Sequence, residues 1–355
     1  MTQRTRKTGN NLSDQVEEKV HSPKEKVEEV KVEPNFNQMI DTGSTLLNLA
    51  ISGGVVHGGG IPGGGLIMEV FGPPGIGKKS LLCEIAGDVQ RKGGEKHFED
   101  PEARLSRTFA EIFDLKMGED EIGYPDTPID VFKKMHEWQP KNTDVVNGWF
   151  IDSTAALASD LEMENKKDEY SRRAKLFSQE LRKAARMIKK KNILIALSNQ
   201  IREKMDAAAF GEKTDTPGGQ ALKFYSSLRL KASKSNPHKI TKEISYKGKK
   251  LKKTIGVATN IEVYKSSVWE PHHSAPVYIL FDYGIDNIRA NLEYVKKFTN
   301  ATVYYAGSNK LSNSMDEAIA QVEEDELEDE LEEQVINIWE EIESKFKKQR
   351  KNKKR

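Results

Sequence analysis

The apolar run Leu66–Phe71 is followed by Gly72-Pro73-Pro74-Gly75-Ile76-Gly77-Lys78-Lys79-Ser80 and then by Leu81–Ala86. A strand, a glycine-rich turn and a helix in that order build a phosphate-binding loop. The glycines let backbone N–H groups converge on phosphate oxygens. The helix N-terminus adds partial positive charge, and Lys78 reaches the outer phosphates. One position departs from the pattern: the residue after the lysine is normally Ser or Thr, whose hydroxyl holds Mg²⁺, and here it is Lys79, with Ser80 one place late. Either the Lys79 ammonium replaces part of the metal's charge, or Ser80 turns inward as the ligand. The loop predicts a bound nucleoside triphosphate.

Around this loop, short strands alternate with helical patterns. Strand candidates are Trp149–Ile151, Ile193–Leu197, Leu228–Leu230, Ile261–Val263 and Val277–Phe281. Thr42–Ile51 reads as a capped helix. Leu176, Phe177, Leu181, Ala184, Met187 and Ile188 recur at helical spacing, as a crossover helix packed on a sheet does. The pattern predicts an α/β P-loop NTPase core with a mainly parallel central sheet covered by helices. In such a sheet the chemistry lies at the carboxyl ends of the strands.

Polar residues stand at those ends. Asp152, closing an apolar strand, is placed to hold Mg²⁺ through water, with Ser80 as the other metal candidate. Glu102 follows the second strand, where a carboxylate orients or deprotonates water. Gln200 closes the next strand and can sense a γ-phosphate. Lys265 follows a later strand, within reach of a neighbouring subunit's nucleotide.

The chain carries 56 basic and 55 acidic residues in 355, so no global basic field advertises nucleic acid, but the charges are segregated. Residues 1–35 read as a charged, disordered arm, 36–286 as the core, 287–325 as a small C-terminal module and 326–355 as an acidic-to-basic amphipathic helix and tail. In that helix Leu327, Leu331, Val335, Ile338, Ile342 and Phe346 form an apolar stripe that docks on the chain's own core or on a partner. One cysteine, Cys83, excludes an internal disulfide, and no apolar run is long enough to span a bilayer; a cytoplasmic, non-membrane protein is expected.

Six stretches in this order are similar to the RecA family of filament-forming recombinases: Ile40–Ser44, the loop at 72–80, Tyr124–Thr127, Ile151–Leu157, Ser198-Asn-Gln-Ile-Arg202 and Pro217–Tyr225. The last two are specific, because general P-loop ATPases do not carry them. The resemblance spans about Ile40 to Ile285, with a weaker echo to about Asp325. It implies a RecA-type core, ATP and Mg²⁺ as cofactors, single- and double-stranded DNA as partners, and a homo-oligomeric helical filament. It gives Glu102 the role of catalytic glutamate and Phe109 that of the ring stacking on adenine. Gln200 becomes the γ-phosphate sensor. It implies DNA contacts from Arg202 and Lys204, a base wedge from Phe210, and further DNA contacts at Gly218, Gly219, Lys175, Ser178 and Arg182.

Departures accompany the match. Besides Lys79, Ser106 stands where the family has an adenine-binding aspartate. The family's paired bridging lysines become Lys265-Ser266-Ser267. The expectation is a slow DNA-dependent ATPase acting in recombination and repair. The alternative is a hydrolysis-weak mediator that loads another recombinase, with recombination or replication proteins meeting its charged termini. A helicase-type ATPase sharing the core is disfavoured by the Phe210 segment and Gly218-Gly219. The lysine-dense segment Lys247–Lys253 is expected at a hairpin tip, either attracting duplex DNA or merely solvated.

Overall fold

A computed structural model of the chain describes residues 34–157, 169–203, 214–215 and 219–347, with the backbone alone over 169–178, 202–203, 214–215 and 219–221. The expected N-terminal arm, except its last residues, and the basic tail from 348 lie outside the described residues.

The central sheet has nine strands. In chain order the elements before it are strand β1 (Asn35–Ile40), helix α1 (Thr45–Ser52) and strand β2 (Ile61–Gly63). The first half of the sheet and its helices are β3 (Ile67–Gly72), α2 (Lys78–Arg91), β4 (Lys96–Glu99), α3 (Arg107–Glu111), β5 (Ile122–Gly123), α4 (Pro128–Glu137) and β6 (Asn147–Ile151). Next come α5 (Glu169–Lys190), β7 (Ile193–Gln200), the short pair β8 (Arg202–Glu203) and β9 (Thr214–Asp215), and α6 (Gly219–Tyr225). Strands β10 (Leu228–Tyr246), β11 (Lys249–Ser266), β12 (Ser274–Leu280) and β13 (Gly284–Ile285) complete the sheet. Its order is β13-β12-β11-β10-β3-β7-β6-β4-β5. From β10 to β5 all pairs are parallel, and β11 to β13 continue antiparallel.

Side chains alternate across a strand, so each strand feeds two cores. Met68, Val70, Phe150, Leu194, Ala196, Leu228 and Leu230 pack with α2 on one face. Ile67, Trp149, Ile151, Ile193, Ile195 and Leu197 pack with α4, α5 and α6 on the other. Cys83 is fully buried on the α2 face, and burial pushes its thiol pKa up, so it serves as a small core residue.

Beyond the sheet lie α7 (Asn287–Thr299), a small hairpin of β14 (Tyr305–Ala306) and β15 (Asn309–Lys310), α8 (Met315–Glu324) and α9 (Glu328–Phe346). They share the α2-side core: Leu292, Val295, Leu331, Val335 and Trp339 join Leu46, Leu49 and Ile279. Asn287 ties α7 to the start of α1, its Nδ2 donating to Thr45 Oγ1 at 2.9 Å while its Oδ1 accepts from Thr45 N at 2.9 Å. Helix α9 therefore docks on the chain's own core. Its buried face differs from the expected stripe, for Ile336 and Trp339 are buried while Phe346 is 78% exposed. The reason is aromatic: Trp269 stands edge-on to Trp339 at 5.6 Å and stacks on His273 at 4.3 Å, so the helix turns its tryptophan inward.

A second correction concerns β10 and β11. They form a two-stranded ribbon far longer than the expected Leu228–Leu230 and Ile261–Val263, paired out to Tyr246↔Lys249. Its turn is Lys247-Gly248, with φ of 48° and 77°, the two positive values of a type I′ hairpin. Lys249 to Lys253 begin strand β11 directly after this turn, so the lysine-dense segment lies at the tip of the hairpin as expected. No helix among the described residues is long and apolar enough to cross a membrane.

Candidate functional site

The loop between β3 and α2 has the expected build. Gly75 and Gly77 take φ of 71° and 83°, and a Cβ at Gly77 would sit 2.1 Å from Ile279 Cδ1, so only glycine fits there. Helix α2 starts at Lys78 without a side-chain cap, leaving its first-turn N–H groups turned toward the loop. Thr259 Oγ1 donates to Ile76 O at 2.9 Å and fixes the loop to β11. Lys78 arches over the loop, its Nζ donating to Pro73 O at 2.7 Å and Gly72 O at 3.1 Å. Burial lowers its pKa, against the opposing pull of Asp152 and Glu102.

Strand alternation sorts the polar residues beyond the loop onto the two faces. Asp152 follows Phe150, and Ser198 follows Ala196, so both turn toward α2. There Asp152 Oδ2 meets Lys79 Nζ at 3.2 Å, and its Oδ1 accepts a hydrogen bond from Ser198 Oγ. Glu102 sits in the turn after β4. Ser153 Oγ donates to its Oε1 at 3.2 Å, and Arg104 Nη1 lies 2.8 Å from its Oε2. The structure thus gathers Lys78, Lys79, Asp152 and Glu102 around the loop. Phe109 lies on α3, half-buried against Phe113 with ring centroids 5.4 Å apart. Ser106 caps that helix, accepting from Phe109 N at 3.1 Å, a structural use for the position where the family has an aspartate.

On the opposite face the same alternation aligns Glu69, Asn199 and Arg229, which the sequence did not single out. Arg229 Nε donates to Glu69 Oε2 at 2.6 Å and Asn199 Nδ2 to Glu69 Oε1 at 2.9 Å, all three buried. The signal was present: a Glu within Leu66–Phe71 and an Arg between two leucines need partners if those strands are buried. Gln200 stands beside Gly72 in the β3–β7 register, and its N–H donates to Asn199 Oδ1 at 3.0 Å. Lys265 is the register partner of Arg229 and donates to Lys223 O at 2.8 Å and Phe224 O at 2.9 Å, capping the last carbonyls of α6. Burial lowers its pKa, with Arg229 adding to the effect and Glu69 opposing it.

Of the expected DNA contacts, Arg182 is exposed on α5. The backbones of Lys175 and Ser178 lie on α5, that of Arg202 on β8 and that of Gly219 at the start of α6. Lys204, Phe210 and Gly218 lie outside the described residues.

The sequence family described as the RecA N-terminal domain matches residues 17–286. The chain belongs to the RecA family. Among its relatives, the RecA protein of Acholeplasma laidlawii is 31% identical over 310 residues, 84% of this chain and 86% of that one. The RecA protein of Thermus thermophilus is 33% identical over 253 residues, 70% of this chain and 69% of its own. That of Delftia acidovorans is 34% identical over 250 residues, 70% of this chain and 63% of its own.

RecA-family proteins use ATP and Mg²⁺. The loop of this RecA-family chain fits the triphosphate, with first-turn amides, Lys78 and Lys79 at one place. Its donor set departs from the usual one for a divalent cation. The residue after Lys78 offers an ammonium with no lone pair, the Ser80 hydroxyl lies buried one place later, and Asp152 meets Lys79 on one oxygen and accepts from Ser198 on the other.

Proposed function

We propose that the chain is an ATP-dependent recombinase that assembles as a helical filament on single-stranded DNA and promotes homologous pairing and strand exchange. The observation that carries this reading is the position of Gln200. It closes β7 beside Gly72, and two residues later Arg202 opens the segment that the family resemblance assigns to DNA. One strand end therefore touches both the phosphate loop and the start of the DNA segment. A γ-phosphate hydrogen-bonded to Gln200 biases the backbone that follows it, and so the grip of 202–219 on an unpaired strand.

In this reading ATP lies on Gly72–Ser80 with Phe109 near its base, and Glu102 orients the attacking water. Arg202, Lys204, Gly218 and Gly219 meet phosphates, Phe210 wedges between bases, and Lys175, Ser178 and Arg182 extend the contact. Lys265 reaches the neighbouring protomer's nucleotide after leaving the α6 carbonyls it now caps. The lysine-lined β10–β11 arm attracts the incoming duplex. Hydrolysis is slow, because the Lys79–Asp152 pair puts less positive charge on the triphosphate than a dication does. That same pair favours the second reading, a hydrolysis-weak mediator.

Strand exchange of a homologous duplex, assayed with ATP and with a non-hydrolysable analogue, separates the two. A recombinase exchanges at least short stretches under one of these conditions. A mediator exchanges none alone and stimulates another recombinase.

A further inference from the structure

Lys78 and Lys79 are consecutive on a helix, about 100° apart around its axis, so their side chains leave in different directions. Lys78 folds back over the loop onto Gly72 and Pro73. Lys79 goes toward the sheet and ends on Asp152, at 23% and 12% side-chain exposure respectively. The pair is thus held in a half-dry pocket at the mouth of the phosphate loop, where charge interactions are screened less than at the surface.

A divalent cation at this place needs oxygen ligands in near-octahedral array, usually including the hydroxyl of the residue after the loop lysine. Here that residue brings three N–H donors and a positive charge of its own. The carboxylate that would sit across the metal already accepts from Lys79 on one oxygen and from Ser198 on the other. A dication placed there would face the Lys79 ammonium at close range. The ammonium can instead keep one N–H on Asp152 and turn its others to phosphate oxygens. The neighbouring contacts are consistent with this, since Glu102 is engaged by Arg104 at 2.8 Å while Lys79 ends on Asp152 at 3.2 Å.

We propose that Lys79, positioned by Asp152, takes the protein-side place of the divalent cation, so that the site binds triphosphate without a protein-coordinated metal. This rests on the reading of the loop as a triphosphate site. Asp152 is then a positioning residue for a lysine, not a metal ligand. Lys78 and Lys79 together form a two-ammonium clamp for the outer phosphates.

The test is the affinity for ATP, measured by calorimetry on the full chain in excess Mg²⁺ and in excess EDTA. The expected result is a Kd that changes by less than about threefold between the two buffers, while Lys79→Thr binds about tenfold or more tightly with Mg²⁺ than with EDTA. A wild-type affinity that falls about tenfold or more in EDTA overturns the inference, as does a Lys79→Thr chain as indifferent to the metal as the wild type. The wild-type comparison decides the matter even if the variant does not fold. Metal-dependent binding removes only this inference, whereas no ATP binding in either buffer removes the triphosphate reading and the inference with it.

Discussion

At the phosphate loop Lys78 and Lys79, and on the other face of the sheet Arg229 and Lys265, each end on a named oxygen of the same chain. On the β10–β11 arm, Lys242, Lys247, Lys249, Lys252 and Lys253 are exposed, and Lys250 meets the exposed Glu243 at 3.0 Å. The two regions use basic side chains in opposite ways. At the sheet end, each cation is held in place by a carboxylate or carbonyl oxygen of the chain itself, so that fixed position rather than bulk attraction decides what it can bind. Along the arm, charge spreads into solvent, where it raises encounter with a polyanion and is weakened by salt.

The sharpest way to break this contrast is at the buried end. Arg229→Met leaves Glu69 charged and buried without its partner, so unfolding free energy falls by about 3–5 kcal/mol, read from denaturant melts. A loss under about 1 kcal/mol would mean that the pair is not the inward-turned unit described. Next, Glu102→Gln lowers ATP turnover by about a hundredfold or more while ATP-dependent binding of single-stranded DNA persists. Loss of both together would make Glu102 a structural residue.

The arm is tested by replacing Lys249, Lys250, Lys252 and Lys253 with alanine. The thermal melt stays put, because these side chains are exposed, while the dependence of log K on log salt for duplex DNA flattens by about 3–4 units. An unchanged slope would make the arm a solvated ribbon without a DNA role.

The smallest effect is in pH. Burial, reinforced by Asp41 and Asp88 and opposed by Arg91, raises the Glu84 carboxyl to about 7. The folded chain thus holds this proton more tightly than the unfolded chain does. The stability it contributes is present below about pH 4.5 and is lost as pH rises through about 7. Glu84→Gln flattens that loss and melts higher than wild type at about pH 8, by a few degrees or on the order of 1–2 kcal/mol. Parallel stability–pH curves for the two chains would contradict it.

Much of the phosphate end was legible because its signals are local. Glycines at the positive-φ positions, an apolar run before them and a polar residue at each strand end are enough to place Lys78, Asp152 and Gln200. The Glu69–Arg229 pair was not, since its members are 160 residues apart and only the β3–β10 pairing joins them. The arm was underestimated for a different reason. Both faces of its outer half are solvated, so Lys239 to Lys253 show no apolar alternation from which a strand could be inferred. The docked face of α9 depended on Trp269 and His273, from a distant part of the chain, and helical spacing alone carries no information about them.

The central claim is that a triphosphate on Gly72–Ser80 acts through Gln200 on the segment that holds an unpaired strand. Fluorescence anisotropy of a labelled single-stranded oligonucleotide, titrated with the full chain with and without ATP, tests it most directly. The account predicts binding about tenfold or more tighter with ATP, and loss of that difference in Gln200→Ala. Equal affinity with and without nucleotide would contradict it.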